Sequence, residues 1–389
     1  MSNNISKYEK RGVSADKEDV HNAIKNIDKG LFPNAFCKIL PDLVGNDPEY
    51  CNVMHADTAG TKTSLAYMYW KETGDIAVWA GIVQDSIVMN LDDMACAGMV
   101  DNIILSSTIG RNKNLVTGDV VKAIIEGTIA FIDNMKKFGV NLTLAGGETA
   151  DVGDIVKTAD VGFTAFARFK RSEVIDIKIK PGNVIVGLAS YGQSTYESEY
   201  NGGMGSNGLT SARHDVFAHE YAKKYPETYD HLVPEDLVYT GKLKLTDIEK
   251  ETGISAGKLV LSPTRTFLPV LKTIIEKHRA NIDGIIHCTG GGQTKVLKFV
   301  NNVHIIKNNL LPVPPLFKMI HEQAGTDFKE MYKVFNMGTR LEIYTDEKNA
   351  QSIIEISKSF NIDAQIIGRV EESNENKLTV ETETGTYEY

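Results

Sequence analysis

Val53-Met54-His55-Ala56-Asp57-Thr58-Ala59-Gly60-Thr61-Lys62 is the stretch on which the reading of this chain turns. It starts as a short strand and runs into a turn of small residues that ends in a cation. Asp57 supplies a carboxylate for a hard ion such as Mg²⁺. Thr58, Gly60 and Thr61 are small enough for backbone N–H groups to approach an anion closely. Lys62 adds a positive charge suited to a phosphate. The pattern is not the Walker sequence, and an ordinary polar hairpin turn has the same composition, so its meaning depends on the rest of the chain.

Downstream, Asp75–Asp85 is followed by a strong helical pattern that runs to Ala97-Gly98, with Ile87, Val88, Leu91, Met94 and Ala95 on one face. Asp85 and Asp92 are seven apart, so they stand nearly above one another, roughly 10 Å apart along the axis. With Asp93 they make three acids and no base in one short helix, which repel unless a cation stands near. Either this is a solvated helix flank, or Asp85 and Asp93 join Asp57 at a metal or phosphate site. Ile103–Thr108 reads as a strand and Val120–Phe138 as an amphipathic helix. The strand from Val140 ends in Gly146-Gly147-Glu148-Thr149, a second corner where glycines, a carboxylate and a hydroxyl meet. Asp160–Arg168 is the last strand of the first sheet.

Lys178-Ile179-Lys180-Pro181-Gly182-Asn183 is the expected domain boundary, dividing 1–178 from 179–389. Val184–Ser190 opens the second domain. A Gly-, Ser- and Tyr-rich loop, Tyr191 to Gly205, comes next, with an insertion near 193–205; Ser206-Asn207-Gly208-Leu209-Thr210 follows, and residues 225–258 form a polar insertion with a small helix. Ser262-Pro263-Thr264-Arg265 precedes an apolar helix, with Ser262 as its cap. The strand Ile282–His287 leads through Cys288 into Thr289-Gly290-Gly291-Gly292 and a helix start, an arrangement that cradles anions. Thr339–Tyr344, Glu347–Phe360 and Ala364–Val370 form a strand–helix–strand unit. The fold class is α/β (α+β) in two domains. Near the N-terminus, Ser14 caps an expected helix running through Ile27.

Composition narrows the function. The 389 residues are 42% hydrophobic and 24% charged, and the net charge of -9 argues against nucleic acid as a partner. Met1–Lys7 has no apolar signal core, no segment suits a membrane, and four scattered cysteines fit a reduced cytoplasmic protein.

Together with Met331-Tyr332-Lys333-Val334-Phe335-Asn336-Met337-Gly338, these motifs resemble the aminoimidazole ribonucleotide synthetase family, the phosphoribosylformylglycinamidine cyclo-ligases, from about Tyr8 to Val370. The Asp-x-x-Gly-Thr-Lys and Gly-Gly-Glu-Thr motifs are shared with a wider ATP-binding superfamily that includes selenophosphate synthetase and thiamine-phosphate kinase. The resemblance implies ATP, Mg²⁺, a homodimer formed through the first sheet, and ring closure of formylglycinamidine ribonucleotide. It implies catalytic roles for Lys62, Asp85, Asp93 and Asn207. Asp57, Asp85, Asp93 and Glu148 would hold the metal. Asp57, Thr58, Gly60, Thr61, Lys62, Asp93, Gly146, Gly147, Glu148 and Thr149 would meet the nucleotide. Ser206, Asn207, Thr264, Arg265, Thr289, Gly290, Gly291, Gly292 and Asn336 would meet the substrate. Two departures stand out: the family's glycine-rich lid is absent between Gly30 and Cys51, and its histidine before Ser-Asn-Gly is replaced by Gly205. A related phosphotransferase and a non-catalytic nucleotide-binding relative are the alternatives.

Overall fold

The computed structural model describes residues 7–13, 22–23 and 25–389. Most of the helix expected from Ser14, including its cap, lies outside the described residues. Two sheets organise the rest. The first holds β1 (Leu40–Pro41) and β2 (Tyr50–Thr58). After the small-residue turn comes α1 (Lys62–Thr73), a helix the sequence pattern does not announce, followed by α2 (Val78–Cys96). Then come β3 (Ile103–Arg111), α3 (Gly118–Lys137), β4 (Leu142–Asp151) and β5 (Ala159–Lys170). The strand order is β1-β2-β5-β3-β4, with β5 antiparallel to both its neighbours and β3 parallel to β4.

The helices cover one face of this sheet. Val53, Leu105, Phe163 and Ala165 point into that side and are buried. α2 is apolar nearly all round, and such a helix must be buried on every side. It lies between the first sheet and the second half of the chain. Among the described residues no helix covers the opposite face of the sheet, and Met54 (65%) and Ile104 (43%) remain exposed on it.

The Gly146–Thr149 corner is not at a strand end, as expected, but inside β4. Pairing with β3 continues to Arg111↔Asp151, and the register shifts between Leu105 and Ser107. The glycines make this irregularity possible. Gly146 has φ +109°, and a Cβ on Gly147 would collide with the Oγ and carbonyl of Ser107.

The second sheet is formed by β6 (Val184–Ala189), β7 (Ile282–His287), β8 (Val303–Lys307), β9 (Thr339–Thr345), β10 (Ala364–Glu372), β11 (Lys377–Thr382) and β12 (Gly385–Glu388). Its order is β12-β11-β8-β10-β6-β9-β7. Around it lie α4 (Leu209–Val216), α5 (Leu268–His278), α6 (Pro315–Ala324), α7 (Phe328–Val334) and α8 (Glu347–Ser359). The β11–β12 hairpin has no counterpart among the expected elements. The run after the triple glycine, Gly292–Lys298, is a 3₁₀ segment and not an α-helix. Ser262 does not cap α5, which begins six residues later; its carbonyl instead accepts from Lys62 Nζ at 2.6 Å.

The insertion at 225–258 braces α1. Tyr225 Oη and Lys224 Nζ both engage Glu72, Tyr239 Oη donates to Met68 Sδ at 3.0 Å, and Tyr69 Oη meets Ser255 Oγ at 3.2 Å. The other inserted loop is held by Glu197, whose carboxylate takes the Arg265 guanidinium through Nε at 3.0 Å and Nη2 at 2.6 Å. Among the described residues no helix is long and apolar enough to cross a membrane.

Gly147→Ala is expected to lower stability by about 2 kcal/mol or more, because backbone must move to admit the methyl. Gly146→Ala, with open space around its Cβ but a left-handed backbone, should lose only about 1 kcal/mol. Thermal unfolding of the two variants tests the ranking.

Candidate active site

Three carboxylates leave α2, and each meets a different part of the second half of the chain. Asp85 Oδ1 accepts from Lys62 Nζ (2.8 Å), Thr264 N (2.7 Å) and Thr264 Oγ1 (2.6 Å), with both side chains of the ion pair fully buried. Asp92, two turns on, accepts from Thr266 Oγ1 (2.8 Å) and Phe267 N (2.9 Å). The seven-residue spacing read from the sequence thus matches one extended segment, Thr264–Phe267, laid along the helix. Burial pushes the Asp92 carboxyl up to about 7, against the pull of those hydrogen bonds. Burial also lowers the Lys62 ammonium, an effect that Asp85 opposes.

Asp93 points elsewhere. Its Oδ1 lies 2.8 Å from His287 Nδ1 and its Oδ2 3.6 Å from His55 Nε2, and 16% of its side chain stays exposed. Burial acts to raise its pKa, but the hydrogen bond from His287 and the nearby His55 and Lys295 outweigh that and hold it low. His287 is itself pushed down to about 4 by burial, so it is neutral near pH 7.

These contacts correct several expectations. Lys62 and Asp85 neutralise each other in the interior and do not face a triphosphate. Thr264 is bound to Asp85, and Arg265 is buried against Glu197 and the carbonyls of Ala189 and Tyr191. Asn336 uses its whole amide internally: Oδ1 accepts from Ser190 Oγ and Gly338 N, and Nδ2 donates to Gly203 O. All five are supports under the site, chosen by burial that a linear sequence does not display.

The four-carboxylate metal cluster does not form either. Asp57 and Thr58 are consecutive strand residues and so point to opposite faces. Thr58 pairs with Gly162, Gly162 with Thr108, and Thr108 with Glu148, which puts Glu148 on the open face with Thr58. Asp57 lies on the helix-covered face beside His55. Among the described residues no three His, Cys, Asp or Glu side chains are grouped to hold an ion. Asp57 and Asp93 both flank His55, and a pair of carboxylates is the usual protein contribution to Mg²⁺ held on nucleotide phosphates.

The two halves meet where the small-residue turns converge. Thr61 Oγ1 touches Thr210 Oγ1, in the first turn of α4, at 2.9 Å. Gly60 has φ +60° with nothing within 4 Å of a Cβ position, as does Gly146 at φ +109°, so both leave backbone approachable. Asn207 Nδ2 lies 3.3 Å from where a Cβ on Gly290 would stand, which brings the Ser-Asn-Gly turn against the triple-glycine turn. Ser206 Oγ and Asn207 Oδ1 are buried there without a hydrogen-bond partner. Unpaired buried polar atoms are costly, so two in one corner mark a place built for a polar ligand. Thr289 is buried, while Gly290 keeps some exposure. Gly291 and Gly292 hold left-handed φ, and Gly292 lies under the carbonyls of Tyr332 and Phe335.

Two residues escape the motif analysis. Gln293, fully buried, donates to Asn336 O (2.7 Å) and Thr339 O (2.8 Å) and is gripped by Lys307, itself paired with Glu342. It holds the glycine turn from below. Lys295, half-buried over the Phe36 ring at 5.5 Å, is the cation whose charge reaches Asp93. A basic residue three positions after the triple glycine is the available signal for it.

Known proteins share this architecture. The model of the AIR synthase related protein, N-terminal domain, matches residues 38–169, and that of its C-terminal domain matches 180–381. A phosphoribosylformylglycinamidine cyclo-ligase of Methanocaldococcus jannaschii is 31% identical over 336 residues, 85% of this chain and 82% of its own. That of Carboxydothermus hydrogenoformans is 27% identical over 93% of this chain and 95% of its own. Among solved structures, thiamine-monophosphate kinase from Stenotrophomonas maltophilia superposes with TM-score 0.51 at 14% identity, covering 95% of this chain and 96% of that one. Phosphoribosylformylglycinamidine synthase II from Thermotoga maritima gives TM-score 0.51 at 13% identity over 94% of this chain; the chain spans 46% of its length. At such identities the structures share the fold alone.

Because the folded protein favours protonated Asp92, that group's contribution to stability falls as pH rises from about 4 through 7. Asp92→Asn keeps an acceptor for Phe267 N and removes the penalty. It should therefore gain on the wild type as pH rises, by on the order of 2 kcal/mol at pH 8. Denaturant melts at pH 5 and pH 8 measure the difference.

Proposed function

Since the chain belongs to the AIR synthase related family, we propose that it closes the imidazole ring of aminoimidazole ribonucleotide from formylglycinamidine ribonucleotide, with ATP giving ADP and phosphate. The observation that carries the substrate side is the corner of Ser206 and Asn207, with its two unpaired polar atoms set against the glycine turn of Thr289–Gly292. It is a hydrogen-bonding pocket for the ribose phosphate and its neighbouring polar groups, and Lys295 supplies the positive charge. The nucleotide lies across Thr58, Gly60, Thr61 and the Gly146–Thr149 strand, where the backbone is open. Asp57 and Asp93 are the residues that would hold Mg²⁺, which would offset charge on the transferred phosphoryl group.

The chemistry asks the protein mainly to position. The formyl amide oxygen takes the γ-phosphoryl group and becomes a leaving group. The amidine nitrogen of the same molecule attacks that carbon, the C–O bond breaks, and phosphate departs with the oxygen. Reacting groups within one molecule need orientation more than a side-chain nucleophile. Ser206, Asn207 and the glycine turn orient the ribose-phosphate end. Thr61 on Thr210 keeps the nucleotide turn and the substrate turn in register.

The open face of the first sheet, with Met54 and Ile104 uncovered, supports a homodimer formed through that sheet. The four cysteines are free and buried, which suits a reducing cytoplasmic setting. A selenophosphate-type reaction would need a reactive thiol; Cys37 is buried, and burial together with the charge of Asp93 pushes its thiol well up.

Incubating the protein with formylglycinamidine ribonucleotide and ATP should yield the aminoimidazole product with one ADP per ring closed. ADP without that product rejects the reaction, and ATP binding without any turnover supports a non-catalytic relative. Asn207→Leu should raise KM for the ribonucleotide about 10- to 100-fold, the effect of losing one hydrogen bond to a charged ligand. Met54→Glu should shift the sedimenting species from dimer to monomer, and an unchanged coefficient would reject the sheet interface.

A further inference from the structure

Arg340 sits at the centre of the cross-domain contacts, yet it touches neither the nucleotide turn nor the substrate corner. It lies on β9, is 2% exposed, and is one of the largest fully enclosed side chains of the molecule. Its charge is surrounded by the carboxylates of Asp85, Asp92 and Asp93. Its Nε donates to His287 Nε2 at 3.0 Å, and Nη2 lies 3.5 Å from Met89 Sδ on α2. Its Nη1 occupies the space beside Gly205, where any Cβ would collide with it. Residue 205 is therefore glycine because the guanidinium fills that position, directly before the Ser206–Asn207 corner.

The direction of the hydrogen bonds is set by chemistry. A guanidinium only donates, so the His287 Nε2 facing Arg340 must be the acceptor. The ring proton is then on Nδ1, which faces Asp93 Oδ1 at 2.8 Å and donates to it. Both partners demand the same tautomer: a carboxylate can only accept at Nδ1, and the guanidinium can only donate at Nε2. In the other tautomer Nδ1 would present a lone pair to a carboxylate, and Asp93 would turn away.

We propose that Arg340 is a positioning residue, pinning the His287 ring through Nε2 so that its Nδ1–H stays aimed at Asp93 and holds that carboxylate in its working orientation. The proposal rests on the reading of Asp93 as a residue of the nucleotide side of the site. Arg340 acts at one remove: it orients the imidazole, and the imidazole orients the acid, across the junction between β9, β7 and α2.

The test joins a spectroscopic readout with kinetics. In protein labelled with ¹⁵N-histidine, the ring signals of His287, identified by their loss in His287→Asn, should report a protonated Nδ1 and an acceptor Nε2. Arg340→Met should move the Nε2 signal from that of a hydrogen-bonded acceptor toward that of a free lone pair and lower kcat 10- to 100-fold, with KM for the ribonucleotide within about threefold. Gly205→Ala, which displaces the guanidinium without altering it chemically, should do the same in weaker form. Arg340→Lys should recover part of both signals. His287→Asn retains a donor at the Nδ1 position and should keep more activity than His287→Gln, which retains only the Nε2 side. An unchanged Nε2 signal in Arg340→Met, or an unchanged kcat, overturns the proposal. If Arg340→Met does not fold, the two His287 variants decide, and equal losses in both overturn it. The ring signals need no substrate, so they are read even if the cyclisation assay fails.

Discussion

One helix that cannot face water holds the two halves of this protein together. α2 is apolar nearly all round, yet carries Asp85, Asp92 and Asp93, and burying three carboxylates is unfavourable unless each finds donors. The second half of the chain supplies them: Thr264, Thr266 and the Phe267 amide along the Asp85–Asp92 side, and His287 on the Asp93 side. Lys62, from the first half, completes the Asp85 set. A partner removed from such a set leaves a charge in the interior, which makes the relative placement of the two sheets well determined. The junction of the turns inherits that precision, because Thr61 adjoins Lys62 and touches Thr210 of the second half.

Around this junction the two inserted segments act as braces. The 225–258 insertion packs tyrosines and Glu72 contacts against α1, the helix that begins where the nucleotide turn ends. The 193–205 loop is tied down by Glu197 on Arg265. Both add contacts around the same interface without entering the site. Under the triple-glycine turn, Gln293, Lys307 and Glu342 form a third support, buried and hydrogen-bonded to one another. Glycine-rich turns lose much conformational freedom on folding, and a rigid base beneath one is the physical counterpart of that loss.

The motifs were legible because they depend on local chemistry. Small residues and glycines at 60 and 291 announce turns and Gly146 a strand irregularity, and the structure gives all three glycines a left-handed backbone. Most strands and long helices could be drawn from hydrophobic period, with ends off by a few residues. What misled was charge. Lys62 and Asp85 carry the groups a phosphate or metal site needs, but identity alone does not say whether a charge faces a cleft or another charge. The period-two alternation of strands likewise separates Asp57 from Glu148, and that separation emerges only from the register of four paired strands.

The amino-acid order by itself determined the two α/β halves, the turns that approach phosphate and the family to which they belong, since each rests on contacts within a few residues. Tertiary structure decided which charged residues are free to work. Desolvation and partner geometry depend on segments far apart in the chain, so only the folded molecule shows that Lys62, Asp85 and Arg265 are internal struts while Asp93 keeps part of its carboxylate exposed and Ser206 and Asn207 keep a polar atom unpaired.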